Sequence, residues 1–240
     1  KAKVSAELGL NGAWMRVAEF DRQNDRLLTE TGWLSGLQGA INWSYLGLEL
    51  TGSVQMFQGE LEYDGQARAL TGAEAFVAKP YETKTDTLIV DTGLQLLMSM
   101  DIERHWWLRT SLSRGSWNRH VQGKGNVVRI EERYRWWQLA AGIQYRFASQ
   151  AYIQISGLWM PDAYLDVNIE NNRGRVHQPQ GRGLKLKISL PLGMQDKWML
   201  QAGYTAEYFS ASKKVRIGSI PFYEPKVDRQ LFSLGIAKQF

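Results

Sequence analysis

Apolar side chains fall at every second position along almost the whole chain, and a helical period is nearly absent. Near the start, Val4, Ala6, Leu8, Leu10 and Trp14 alternate with Ser5, Glu7, Gly9 and Asn11. From Trp33, the series Leu37, Gly39, Ile41, Trp43 and Tyr45 faces away from Gly36, Gln38, Ala40 and Asn42. The pattern returns over Leu46–Met56, Leu88–Met98, Trp106–Leu112, Trp137–Phe147, Ile153–Trp159, Leu184–Leu190, Trp198–Tyr208 and Phe232–Phe240. Ten strands are predicted.

Their connections alternate in length. Short ones fall near Tyr45-Leu46, Asp101–Arg104, Ala148–Gln150 and Met194–Lys197, and long polar ones over Asp21–Thr31, Gln58–Thr85, Arg119–Arg129, Pro161–Gly181 and Ser210–Val227. Short turns on one side and long loops on the other are the layout of a transmembrane β-barrel. Trp43, Tyr45, Trp106, Tyr145, Phe147, Trp198 and Phe240 stand beside the short turns, where an interfacial aromatic girdle belongs. The expected fold is therefore all-β: a closed antiparallel barrel of about ten strands, one domain over residues 1–240, with short periplasmic turns and long extracellular loops. A soluble β-sandwich or lipocalin-like barrel also alternates, but it hides its apolar face inside. Here the apolar face carries bulky Trp and Tyr at strand ends, and the opposite face is Gly, Ser, Gln, Arg, Lys and Glu. Pro191 has no N–H for a ladder bond, so a bulge or strand end is expected there.

The composition, 44% hydrophobic over 240 residues, is that of an ordinary soluble protein. Alternation explains this, because a membrane barrel needs no long apolar run. No stretch approaches the roughly 18–20 apolar residues of a membrane helix. The absence of cysteine excludes disulfide scaffolds, thiolate metal sites and cysteine nucleophiles. The net charge of +5 is spread over several loops and both faces, without a basic helix or stacking platform, which argues against nucleic acid as a partner. The chain opens at Lys1 without a signal peptide, and export needs one, so it reads as a mature form. Lys238-Gln239-Phe240 closes it on an aromatic residue, the ending expected to engage the barrel-assembly machinery of the outer membrane.

Chemistry has few footholds. His105 stands beside a short turn, and His120 and His177 lie in long loops. No zincin, nucleophile-elbow, phosphate-loop or dinucleotide motif occurs, and no metal site or other cofactor is expected. Carboxylates are better placed. Glu62 and Asp64 stand at i, i+2, on one face of a strand; aimed inward, they can hold a water between them for general-base work. Asp162 and Asp166 sit at the rim across the barrel mouth.

Three stretches carry a family resemblance. Gly39-Ala40-Ile41-Asn42-Trp43 is similar to a second-strand segment of the omptins, a family of outer-membrane surface proteases. Tyr145-Arg146-Phe147 resembles the triplet that closes their sixth strand, and Trp159 precedes Asp166 at the spacing of an omptin Trp and catalytic Asp. The resemblance implies an omptin-like barrel in the outer membrane of a Gram-negative cell. It places the omptin acid pair on Glu62 and Asp64, the dyad Asp on Asp166, and the dyad His on Asn168. An asparagine amide takes up no proton near neutral pH, so the expectation is an omptin-like scaffold without ordinary omptin proteolysis. In that reading the protein serves as a surface interaction or envelope protein with an extracellular protein or peptide ligand. An endopeptidase using the rim acids and a narrow selective channel are the alternatives. For the channel, inward Glu49, Asp91, Arg109, Arg146, Lys185, Lys187 and Glu207 are expected to pair across the lumen, leaving a route for a small anion past Lys185 and Lys187. The resemblance also implies lipopolysaccharide, a bound lipid alongside the other outer-membrane lipids, on outward Arg114, Arg133 and Arg135 above the apolar band; a guanidinium meets phosphate in bidentate fashion.

Overall fold

The computed structural model of the chain describes residues 2–68, 78–123, 129–169, 172–178, 180–193, 197–218 and 220–240. They form β1 (Lys3–Phe20), β2 (Arg26–Tyr45), β3 (Leu48–Arg68), β4 (Ala78–Ser99), β5 (Trp106–Val121), β6 (Ile130–Arg146), β7 (Tyr152–Met160), β8 (Ala163–Ile169), β9 (Asn172–Gln178), β10 (Gly181–Pro191), β11 (Trp198–Phe209), β12 (Val215–Ile217), β13 (Ile220–Phe222) and β14 (Lys226–Gln239). Each strand pairs antiparallel with its neighbour, and β14 returns to pair with β1 from Phe20↔Lys226 to Glu7↔Gln239. β7 with β8, and β9 with β10, act as two long strands broken near Pro161 and Gln180, because β6 pairs first with β7 and then with β8. The wall is thus a closed barrel of ten strands, as the alternation predicts. β10 stops at Pro191, where the ring nitrogen has no proton to donate.

The belt follows from the alternation. Leu10 is 69% exposed, Trp33 74% and Leu234 59%, values no water-soluble protein sustains around a closed ring. Ten residues separate Trp33 from Trp43 along β2, about the length a strand needs to cross a bilayer. Trp43, Trp106 and Trp198 mark the lower girdle, and Trp33, Trp137 and Trp159 the upper one. At the lower rim Leu46 (φ 45°) and Gly47 (φ 83°) both take left-handed backbone, the requirement of a two-residue primed turn. Asp101 closes another turn by accepting from the His105 and Trp106 amides at 3.0 and 2.9 Å. Part of the turn near Met194 lies outside the described residues.

Above the upper girdle the strands continue into segments whose sequence reads as loops. β3 runs on to Arg68, β5 to Val121, and β8, β9, β12 and β13 occupy the segments 161–181 and 210–227. Past the membrane the outer face no longer needs apolar residues, so alternation fades from the sequence while the ladder persists. The tips 69–77 and 124–128 lie outside the described residues.

The lumen has two unlike halves. Its periplasmic half is polar, as expected. Arg146 holds Glu49 by two bonds of 2.6 and 2.5 Å, and Gln38, Gln201 and Glu7 are hydrogen-bonded at 2.7–3.2 Å. Glu207 pairs with Arg229, while the partners of Arg109 among the described residues are the neutral Gln95 and Ser156. Higher up the small and polar inner face that the alternation leads one to expect gives way to large apolar side chains. Met15, Leu34, Phe57, Leu61, Ile89, Trp117, Trp136, Met160 and Phe209 are buried there and fill the barrel. Gly115 makes this possible: a Cβ there would stand 2.2 Å from the Trp136 ring, which lies across it.

Candidate functional site

The four omptin-equivalent positions stand on the outer wall. On β3, Leu61 and Tyr63 point into the barrel, which turns Glu62 and Asp64 outward. On β8, Leu165 and Val167 point in, and Asp166 and Asn168 face out. The two acids therefore hold no water inside the mouth; their parity is one residue away from what that role requires. β3 and β8 are separated by β4, β5 and β6 around a closed wall, so these outward side chains diverge. Asp166 accepts from Arg135 and, at 2.6 Å, from Arg175 Nε; Asn168 Nδ2 donates to Glu131 Oε2 at 3.1 Å. His177 bonds Asp162 at 2.7 Å, His105 sits 3.3 Å from Glu103, and His120 lines an outer cleft. The structure does not bring Glu62, Asp64, Asp166 and a histidine together.

Instead the outer wall gathers arginines. Arg114 on β5 and Arg133 and Arg135 on β6 face outward, as the strand parity predicts; Arg114 stands directly across from Trp137, and Arg135 and Arg133 follow above it on β6. The β8–β9 hairpin adds Arg173 and Arg175. A cleft of about 750 Å³ runs between Asn118, His120, Glu131, Arg133, Asn168 and Arg173. Beside it lies a hollow of about 200 Å³ lined by Arg114, Arg135, Trp137, Tyr164 and Arg175. Arg114 stands 5.7 Å over the Trp137 ring, in cation–π range. Asp166 occupies Arg135 and Arg175, whereas Arg114 and Arg133 pair with no carboxylate among the described residues. The Oδ1 atoms of Asn118 and Asn168 are buried there without a donor.

A second constellation, inside the barrel, was not foreseen. Above the aromatic layer and beyond the membrane span, Arg119 donates to Glu19 at 2.7 Å, Glu30 at 2.9 Å and Glu132 at 2.8 Å, and Thr85 adds a bond to Glu30 at 2.7 Å. Tyr134 stacks on Trp117 at 4.7 Å and donates to Glu224, whose backbone is held by Ser212. Burial pushes Glu19 up to about 7, with Glu132 and Glu30 adding to it against the pull of Arg119. Burial, then the charges of Glu132 and Glu19, holds Glu224 well above the carboxylate range. Burial works against the Arg119 cation, but the three acids outweigh it. One guanidinium thus ties β1, β2, β5 and β6 together, and Tyr134 fastens the segment that follows β13 onto them. The signal was available in the sequence: if Arg133 and Arg135 point out, then Glu132, Tyr134 and Trp136 must point in.

No protein-family model and no curated protein matches the chain. Among solved structures, the outer membrane protease OmpT from Escherichia coli superposes with a TM-score of 0.58 over 99% of this chain and 96% of that one, at 9% identity. The translocator domain of the autotransporter NalP from Neisseria meningitidis gives 0.52 over 98% and 88%, at 10% identity. The fold is that of an omptin barrel. With the closed wall and its apolar belt, this makes the chain an integral β-barrel of the bacterial outer membrane. The likeness is one of fold, and at this barrel's rim the acid pair and dyad position face away from the mouth.

Proposed function

We propose that this protein is a non-proteolytic envelope barrel whose outer wall binds lipopolysaccharide through its phosphates. The carrying observation is the arginine cluster at the upper interface, in which Arg114 and Arg133 pair with no carboxylate among the described residues. An arginine facing lipid costs roughly 2–4 kcal/mol at mid-membrane and little at the interface, where these stand. There a phosphate can accept two N–H bonds from each planar fork. The divergent acids argue against a water-activating peptidase, and the filled upper lumen argues against a channel. The extracellular strands remain free for an interaction role, since recognition tends to reside where a rigid scaffold presents loops.

The test compares the wild type with Arg114→Ala/Arg133→Ala, both extracted in mild detergent. Co-purifying lipopolysaccharide is expected to fall at least tenfold in the variant, and neither protein is expected to cleave a dibasic fluorogenic peptide with lipopolysaccharide added. Undiminished lipid would remove the assignment to these arginines. Turnover abolished by Glu62→Gln/Asp64→Asn would make the barrel a peptidase.

A further inference from the structure

A small chamber of about 100 Å³ lies in the polar half of the lumen, beneath the aromatic layer. At the ~30 Å³ that a water occupies in the liquid, it has room for about three waters or one tetrahedral oxyanion. Its charged lining consists of Asp91, Arg109, Lys185, Glu207 and Arg229, three cations against two acids. Two of these cations are more than nine-tenths buried, Arg109 at 7% exposed and Arg229 at 5%. Neither is fully answered by protein. Both bonds of Arg229 to Glu207 land on the same oxygen, and Arg229 Nη1 is buried with no acceptor. Arg109 donates only to Gln95 at 2.7 Å and Ser156 at 2.8 Å, neutral groups that leave its charge uncompensated. Among the described residues it forms no ion pair, and neither does Lys185. A buried cation without a counter-charge is costly, so the chamber asks for an anion.

Asp91 says which anion. A bare carboxylate on the same wall repels a fully ionised oxyanion, but it accepts a hydrogen bond from one that carries a proton. Phosphate keeps a P–OH through the neutral range, and sulfate has none. We propose that the chamber is a binding site for inorganic phosphate, with Arg109, Arg229 and Lys185 donating to its oxygens and Asp91 accepting from its hydroxyl. The site is independent of the outer-wall arginines, and its small volume inside the barrel admits free phosphate and is too small for a lipid headgroup.

The experiment refolds the protein free of lipopolysaccharide and phosphate in detergent, then follows the thermal midpoint in phosphate, sulfate or chloride at equal ionic strength. At a hundredfold excess over Kd, phosphate is expected to raise the midpoint by about 5 °C or more, and sulfate by much less. One phosphate per chain is expected on release by denaturation. Asp91→Asn is expected to reverse the preference toward sulfate, and Lys185→Gln to weaken phosphate binding at least tenfold. Arg133→Ala is expected to leave the phosphate response unchanged. Equal shifts in phosphate and sulfate, or no shift in either, would overturn the proposal. Should Asp91→Asn fail to refold, the phosphate-to-sulfate ratio in the wild type and in Lys185→Gln decides alone.

Discussion

The same hairpin of β5 and β6 carries two arginine clusters that differ in how their charge is met. On the inner face Arg119 has three carboxylates within 2.9 Å and is 2% exposed. On the outer face, one residue away in parity, Arg114 and Arg133 pair with no carboxylate among the described residues, and Arg135 shares Asp166 with Arg175. Acid in excess makes the first cluster a staple, one guanidinium outnumbered by three carboxylates. Arginine in excess leaves the second with donors unpaired among the described residues, which is what the proposed lipid site would use. Residue type alone does not distinguish these roles; the balance of partners does.

Removing Arg119 breaks the comparison most forcefully. Arg119→Met leaves Glu19, Glu30 and Glu132 buried without their shared cation, a loss of about 3–5 kcal/mol for a buried network. The folded, heat-modifiable form is expected to lose most of its resistance at pH 8. Because the stranded acids can take up protons, acid conditions are expected to restore part of it. A variant as stable as the wild type at pH 8 would show that Arg119 staples nothing.

The pH response of the intact staple comes next. Glu19 is raised from 4.5 to about 7 in the folded barrel, chiefly by burial. The folded state therefore holds this proton more tightly than the unfolded chain does. The stabilisation is complete below about pH 4.5 and is lost as pH rises through 7, a change of about 3 kcal/mol. Glu132 and Glu224 shift in the same direction. Thermal midpoints are thus expected to fall between pH 5 and 8, with a flatter profile in Glu19→Gln. A midpoint that rises over this window would reverse the sign and dismiss the buried acids as its source.

How much of this was legible follows from where the membrane lies. Within the belt the outward positions are mostly apolar, so period two is written plainly in stretches such as Leu37–Tyr45 and Phe232–Ile236, and the strand count follows from it. Above the belt the outward positions are freed; Glu62, Asp64, Asp166 and Asn168 are polar and outward, and the same stretch reads as loop. There inward and outward acids look alike in sequence, so the sequence alone does not show that Glu62 and Asp64 turn away from the mouth. The buried partners were hidden for a further reason. Glu19, Glu30 and Arg119 are distant in sequence, and only closure of the ring brings them together. Arg133 and Arg135 were legible because the apolar run of β6 continues straight into them and carries its parity along.

The smallest expected effect separates two neighbours on the outer face. Arg133 has no carboxylate partner among the described residues, so Arg133→Ala is expected to change lipid-free stability by no more than about 0.5 kcal/mol, as for other surface substitutions. Arg135 and Asp166 are each about 30% exposed on their side chains, and an ion pair at such a surface is worth about 1 kcal/mol or less. Arg135→Ala therefore costs slightly more without lipid, and Arg175 continues to hold Asp166. With lipopolysaccharide added the order reverses. The lipid-induced rise in the heat-modification midpoint is expected to shrink more in Arg133→Ala than in Arg135→Ala, since only the former removes donors not already occupied by protein. The lipid-induced rise is expected to fade as salt shortens the screening length toward ~3 Å at 1 M. A larger loss in Arg135→Ala would mean that lipid phosphate displaces Asp166 from its arginines, and that the receptor opens by exchange of one anion for another.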